Sequence, residues 1–304
     1  MKIIFDTDPG IDDAIALLIA LNNPKLDVLA VTAANGNVDV DRSTYNALRI
    51  IEAAGKEVAV ARGASKPLFK RPIHAGHIHG KDGLGNSNLP KPKTKPSKLH
   101  AVKMIETLVK THKKKELTIV ATAPLTNIAI LLDREPSIAK KLDKVVLMGG
   151  VYDVVKGARG NVTPYAEFNF YCDPEASNIV LNSGASVIAT GLDVTMNFKC
   201  AVDKGMLKKI EMLGGRTAEI ASKILAYPVF RYGVFHLHDV FAVASLLQPN
   251  MFRMVDCMVS VDKFGKFRGR CVTTLKKGNV KVYSSVDHKK FVKFVLQSLR
   301  QHGS

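Results

Sequence analysis

The sequence predicts an α/β fold: a mostly parallel, doubly wound, Rossmann-like sheet with helices on both faces, in a single domain over residues 1–304. Three observations predict it. Short runs rich in β-branched residues recur through the first two thirds of the chain, segments of helical periodicity follow several of them, and no period of 20–50 residues repeats, which excludes solenoids and propellers.

The elements follow in order. Residues 2–5 (KIIF), 28–32 (VLAVT) and 58–61 (VAVA) read as buried strands, with helices over 13–22 and 43–54 after the first two. Residues 66–98 carry five of the thirteen prolines and no periodicity, so they read as a long surface loop excursion with a mobile part. Strands resume at 117–121 (LTIVA), 144–148 (KVVLM) and 187–190 (VIAT), with helices over 125–132 and 174–182. Residues 258–282 read as a hairpin-like pair of runs, and a basic amphipathic helix over 287–300 closes the chain. In such a sheet, ligands bind beyond the carboxyl ends of the strands, so the residues just after each run are where chemistry is expected.

With 46% apolar and 23% charged residues, the chain is too hydrophobic to be a disordered polymer. Its net charge of +17 would suit a nucleic-acid partner, but the excess is segregated. Residues 91–115 hold nine basic side chains against one acidic, and residues 253–304 hold twelve against three; the remainder is neutral. Four cysteines without a CxxC pair suggest neither a disulfide scaffold nor a zinc site, and a reducing compartment is expected. The N-terminus shows no signal-peptide pattern, and the apolar run 14–21 is too short to span a bilayer, so the expectation is a cytoplasmic protein without a membrane partner.

The strongest chemical signal is the exit of the first strand, Asp6-Thr7-Asp8-Pro9-Gly10-Ile11-Asp12-Asp13. Four carboxylates within eight residues resist desolvation unless a cation neutralises them, and a hard divalent ion suits an all-oxygen set. The alternative for any single Asp is a helix cap. His238-Asp239 precedes the apolar stretch VFAVASLL, where a plain cap is the simpler account of the dipeptide alone. Thr122 and Asn127 in ATAPLTN stand at a strand exit, where a free carbonyl could ligate a metal. The segment 160–169 (GNVTPYAEFN) clusters Asn161, Glu167, Phe168 and Asn169; its amides and carboxylate suit a ligand rich in hydroxyls, with turn formation as the alternative for Asn161. The histidines of HAGHIHG (His74, His77, His79) suggest a transition metal or, better, a glycine-rich loop folding over substrate with His79 in the site.

Together these motifs resemble the inosine-uridine preferring nucleoside hydrolase family. DTDPGIDDA, AANGN ending at Asn37, HGKDGLG, ATAPLTN, MGG, GNVTPYAEFN and the HD pair occur in family order across essentially the whole chain. The resemblance implies that Asp8, Asp13, Asp239 and the Thr122 carbonyl bind Ca2+, and that Asp12 is the general base. It implies that Asn37, Asn161, Glu167, Phe168, Asn169 and Met148, with His79, hold the nucleoside, and that His238 assists departure of the base. The activity implied is hydrolysis of the N-glycosidic bond of ribonucleosides, in nucleoside catabolism and salvage, by a homodimer or homotetramer. The chain has no tryptophan, so it lacks the stacking indole of purine-specific members. Histidines at 79 and 238 fit the branch that accepts pyrimidine nucleosides such as uridine and cytidine, or is nonspecific and takes inosine too. Tyr227, Phe230 and Tyr232 are candidate base contacts, although aromatics at helical spacing more often belong to a core.

Two rival functions differ in class. Asp6-Thr7-Asp8 after a strand also resembles the opening of magnesium-dependent phosphatases with an aspartate nucleophile, but that pattern wants Thr or Val where Gly10 stands. A basic nucleic-acid-binding protein without catalysis is the other, and no zinc-finger, RNP or helix-turn-helix signature supports it.

Overall fold

Nine strands form one sheet in the computed structural model, which describes residues 1–300. Eleven strands occur in all among the described residues: β1 Lys2–Thr7, β2 Asp27–Ala33, β3 Ala59–Arg62, β4 Leu117–Ala121, β5 Lys144–Met148, β6 Val187–Thr190, β7 Val202–Asp203, β8 Val234–Phe235, β9 Phe252–Val261, β10 Cys271–Leu275 and β11 Val280–Val286. The large sheet runs β10-β9-β11-β6-β5-β4-β1-β2-β3, and β7 pairs with β8 apart from it. All neighbours from β11 to β3 are parallel, as the six apolar runs predict. The final segment differs from the expected pair of runs. It is three strands, in which β9 pairs antiparallel with both β10 and β11, and β11 extends the parallel sheet at β6. The amphipathic terminal helix occupies His288–Leu299, and residues 301–304 of the expected domain lie outside the described residues.

Strand side chains alternate between two cores, as the period of two requires. Ile3 and Phe5 join the core beneath helices Ile11–Asn22, Gly215–Tyr232, Val240–Leu247 and His288–Leu299. Ile4 joins the core on the opposite face, beneath helices Ala101–Thr111, Thr126–Arg134 and Pro174–Leu181. Helix Ile11–Asn22 is apolar around most of its circumference and buried along nearly its whole length, as a helix enclosed by others must be. Its burial carries Asp12 and Asp13 into the protein.

The excursion over residues 66–98 contains one short helix, Gly76–His79. It is strapped to helix Val40–Ala53: Glu52 accepts from the Lys93 and Thr94 amides, and Arg49 donates to the Leu89 and Pro90 carbonyls. The chain winds from β1 outward to β3 and then returns to β4 on the other side of β1, so the order reverses there. A crevice opens beyond the carboxyl ends of the strands at such a reversal.

Candidate active site

The acidic floor is assembled at that reversal. β1 ends at Thr7, and Asp8 is the first residue beyond it. Asp13 accepts four hydrogen bonds, from Thr7 Oγ1 at 2.6 Å, Thr122 Oγ1 at 2.8 Å, Asn37 Nδ2 at 2.9 Å and the Gly10 amide at 3.1 Å. Asp8 Oδ2 accepts from the Asn37 amide at 2.5 Å, while Asp8 Oδ1 is buried with no hydrogen-bond partner. One carboxylate oxygen each of Asp12, Asp13 and Asp239 lie within 4.8 Å of one another, and among the described residues no other His, Cys, Asp or Glu set converges in this way. The capping alternative holds in part for Asp13, through Gly10, and fails for Asp239, whose side chain makes no capping bond.

Burial raises the carboxyls of Asp8 and Asp239 well above the ordinary range, and the neighbouring carboxylates push them further. Asp12 is pushed up to about 8, by burial first and by the charge of Asp13 second. Protons or a cation must balance this charge. The donor set fits a hard cation: every side-chain donor is a carboxylate oxygen, Asp8 Oδ1 has no other partner, and the Thr122 carbonyl retains a lone pair after accepting from Asn169 Nδ2 at 2.7 Å.

A cavity of about 580 Å³ opens above the floor. Asp12, Thr122 and Asp239 line it, and Asp8 and Asp13 are fully buried and do not. Asn37 and Met148 line its wall from the ends of the second and fifth strands. Asn161, Glu167, Phe168 and Asn169 line another side. Glu167 caps helix Phe168–Cys172, its carboxylate accepting from the Asn169, Phe170 and Gly150 amides at 2.8–3.1 Å. Asn161 Oδ1 accepts from the Phe168 amide at 2.9 Å, which leaves its amide nitrogen for a ligand.

The remaining side is histidine-rich. His79 is buried, and its Nδ1 accepts from the Ile11 amide at 3.0 Å, so its proton is on Nε2. Burial lowers the pKa of His79 to about 4 and that of His238 to about 3, so both imidazoles are neutral at pH 7. His74 and His77 line the cavity too, which extends the expectation that His79 alone of the three does so. His74 Nδ1 pairs with the Gly36 carbonyl at 3.0 Å, and the three do not converge as transition-metal ligands. Of the three aromatic candidates only Tyr232 lines the cavity, its hydroxyl donating to the His77 carbonyl at 2.7 Å. Tyr227 and Phe230 lie outside it. Tyr227 packs on the core from the flank of helix Gly215–Tyr232, and Phe230 is 68% exposed.

A model of the family described as inosine-uridine preferring nucleoside hydrolase matches residues 3–293. The chain belongs to that family. A pyrimidine-specific ribonucleoside hydrolase of Photobacterium profundum is 38% identical over 86% of this chain and 85% of its own, and one of Citrobacter koseri is 35% identical over 100% and 99%. Among solved structures, a purine-preferring ribonucleoside hydrolase from Gardnerella vaginalis superposes with a TM-score of 0.92 at 30% identity, covering 99% of this chain and 98% of that one. A plant nucleoside hydrolase gives 0.91 at 29%, covering 99% of each. The hydrolase thus cleaves the N-glycosidic bond of ribonucleosides.

The geometry disposes of the phosphatase reading, and membership of a hydrolase family replaces the reading without catalysis. Asp6, the nucleophile a phosphatase would need, is fully buried, accepts from Thr32 Oγ1 and Asn127 Nδ2, and does not reach the cavity. No residue of 91–115 or 253–300 lines the cavity either, so the basic excess stands apart from the hydrolase's site. Sequence reasoning missed His236. Its ring stacks on His238 with centroids 5.5 Å apart, it lines the cavity, and its Nδ1 is buried without a partner. The HLHD spacing held that signal, since residues two apart on an extended segment share a face.

Gly36 supplies a test of how tightly the floor is built. A Cβ there would overlap Asp8 Oδ2 and press on Pro124. Gly36→Ala is expected to displace Asp8 and to destabilise the hydrolase by about 1–3 kcal/mol, as overpacking does. Thermal melts check this. An unchanged Tm would show that the floor yields to the added methyl group.

Proposed function

We propose that this hydrolase is calcium-dependent and acts on pyrimidine nucleosides, uridine and cytidine first. The observation that carries the metal is the buried carboxylate group of Asp8, Asp12, Asp13 and Asp239, with Asp8 Oδ1 lacking any partner. Asp8, Asp13, Asp239 and the Thr122 carbonyl would hold the ion. Calcium bound there would lower the pKa of the attacking water and hold hydroxyls of the ribose.

The chain's own groups do the rest. Asp12 projects into the cavity with a raised proton affinity and takes the proton of the attacking water. Asn161, Asn169, Glu167 and the Met148 carbonyl orient the ribose beside Asn37. Their oxygens, with the acidic floor, stabilise the positive charge that develops on the sugar ring as the bond to the base breaks. His238, neutral and facing the same cavity, relieves the negative charge on the departing base by a hydrogen bond. His79 positions the nucleoside from the excursion.

Support for pyrimidines comes from a chain without tryptophan, a base side built of histidines, and relatives named as pyrimidine-specific. The purine-preferring structural neighbour favours a broader reading in which inosine is also cleaved. Values of kcat/KM for uridine, cytidine, inosine, adenosine and guanosine decide between them. Uridine and cytidine are expected to lead by at least tenfold, and equal or higher values for the purines would overturn the preference. The same reading includes assembly as a homodimer or homotetramer, which sedimentation equilibrium measures. A cytoplasmic location accords with four free cysteines.

A further inference from the structure

We propose that Thr195 is a positioning residue for the reaction: its hydroxyl donates to His238 Nδ1 and so keeps the imidazole proton on Nε2, the nitrogen left to meet the departing base. The inference deepens the leaving-group role given to His238 above and rests on it. Thr195 ends the short helix Leu192–Thr195 behind the sixth strand, is fully buried, and is not part of the cavity lining. Its Oγ1 lies 2.8 Å from His238 Nδ1.

The direction of that bond follows from what the hydroxyl can reach. A threonine in a helix commonly donates to the carbonyl four residues earlier, as Thr44 does to Val40 at 2.7 Å. Thr195 makes no such bond. Its backbone amide bonds the Gly191 carbonyl, and among the described residues its hydroxyl has the imidazole as its one hydrogen-bond partner. A buried hydroxyl that donates to nothing leaves a proton unsatisfied, which is costly. Were Nδ1 protonated, both atoms would present a proton to the same gap, and the Thr195 proton would have no acceptor. With Nδ1 as acceptor, the single proton of the neutral ring is on Nε2. The imidazole then enters the reaction as a donor already aimed away from Thr195. The His236 ring stacks beside the imidazole, with the two planes 22° apart.

Thr195→Val removes the hydroxyl and keeps the shape. The expected result is a fall of at least tenfold in kcat for uridine, with KM changed less than threefold. Turnover of an aryl riboside whose leaving group needs no hydrogen bond falls less than twofold. Thr195→Ser restores uridine turnover. In 15N-histidine-labelled protein, the His238 imidazole shows the Nε2–H tautomer in the wild type and a mixture in Thr195→Val. Wild-type uridine turnover by Thr195→Val, or an equal loss on both substrates by the folded variant, would overturn the inference, as would an Nδ1–H tautomer in the wild type. His238→Ala separates the two levels. If it loses uridine turnover selectively while Thr195→Val does not, the Thr195 role alone fails; if it keeps uridine turnover, the leaving-group role fails and takes this inference with it.

Discussion

Asp12→Ala is expected to lower kcat for uridine by about 10²–10⁴-fold, the range a positioned general base supplies, with a much smaller change in KM. Asp12 combines the three properties that role requires. Its carboxylate reaches the cavity, it stands in the first turn of a buried helix, and its pKa is pushed up to about 8 by burial and by Asp13. Asp239 shares them but stands among the carboxylates proposed to hold the ion. Asp13 and Asp8 do not line the cavity, so neither can take over. Asp8→Ala is expected to behave differently, raising the calcium concentration needed for half-maximal activity as well as lowering turnover. Steady-state kinetics over a calcium titration separate the two. Near-normal turnover by purified Asp12→Ala would contradict its assignment as the base.

Chelated enzyme is expected to lose stability as pH rises from about 5 to 8, and calcium to abolish most of that loss above pH 6. The sign follows from the direction of the shifts. The carboxyls of Asp8, Asp12 and Asp239 have folded-state pKa values above those of the unfolded chain, so the folded state binds more protons. Their contribution is fully present below the unfolded value near 4 and is lost as pH rises through the folded values, for Asp12 about 8. Asp6, raised to about 6 by burial, adds a loss of about 3 kcal/mol between pH 4 and 6 that calcium leaves in place, because its carboxylate faces Thr32 and Asn127. Melting curves at several pH values, with chelator and with calcium, resolve the two components. A chelated protein whose Tm rises toward pH 8 would show that the floor is not an uncompensated carboxylate group.

Much of the sheet was legible because each parallel strand is an uninterrupted apolar run bounded by polar residues, and such runs have one stable place, buried on both faces. The C-terminal region was less so. Whether 252–261 pairs with one strand or two depends on the edge that β6 offers, which no local pattern encodes. The metal floor was legible from DTDPGIDD because repulsion between close carboxylates is a local fact. The donors that seat Asp13 come from three separate stretches, the DTDPG run itself, Asn37 and Thr122, and could not be read from any one of them. The same limit explains the aromatics. Tyr227, Phe230 and Tyr232 share one helix, and only the packing of that helix decides that Tyr232, at its end, turns to the cavity. Thr195 and His236 act through a histidine distant from one and adjacent to the other, so their meaning depends on the fold.

The central claim, a metal-dependent N-glycosidase built on Asp8, Asp12, Asp13 and Asp239, is tested most directly by release of reducing sugar from uridine. The assay compares calcium-loaded enzyme, enzyme stripped by chelator, and stripped enzyme returned to calcium. The account predicts ribose and uracil in equal amounts from the first, loss of at least 99% of that rate in the second, and recovery in the third. Sugar release that survives exhaustive chelation, or none from folded calcium-loaded enzyme, would contradict it.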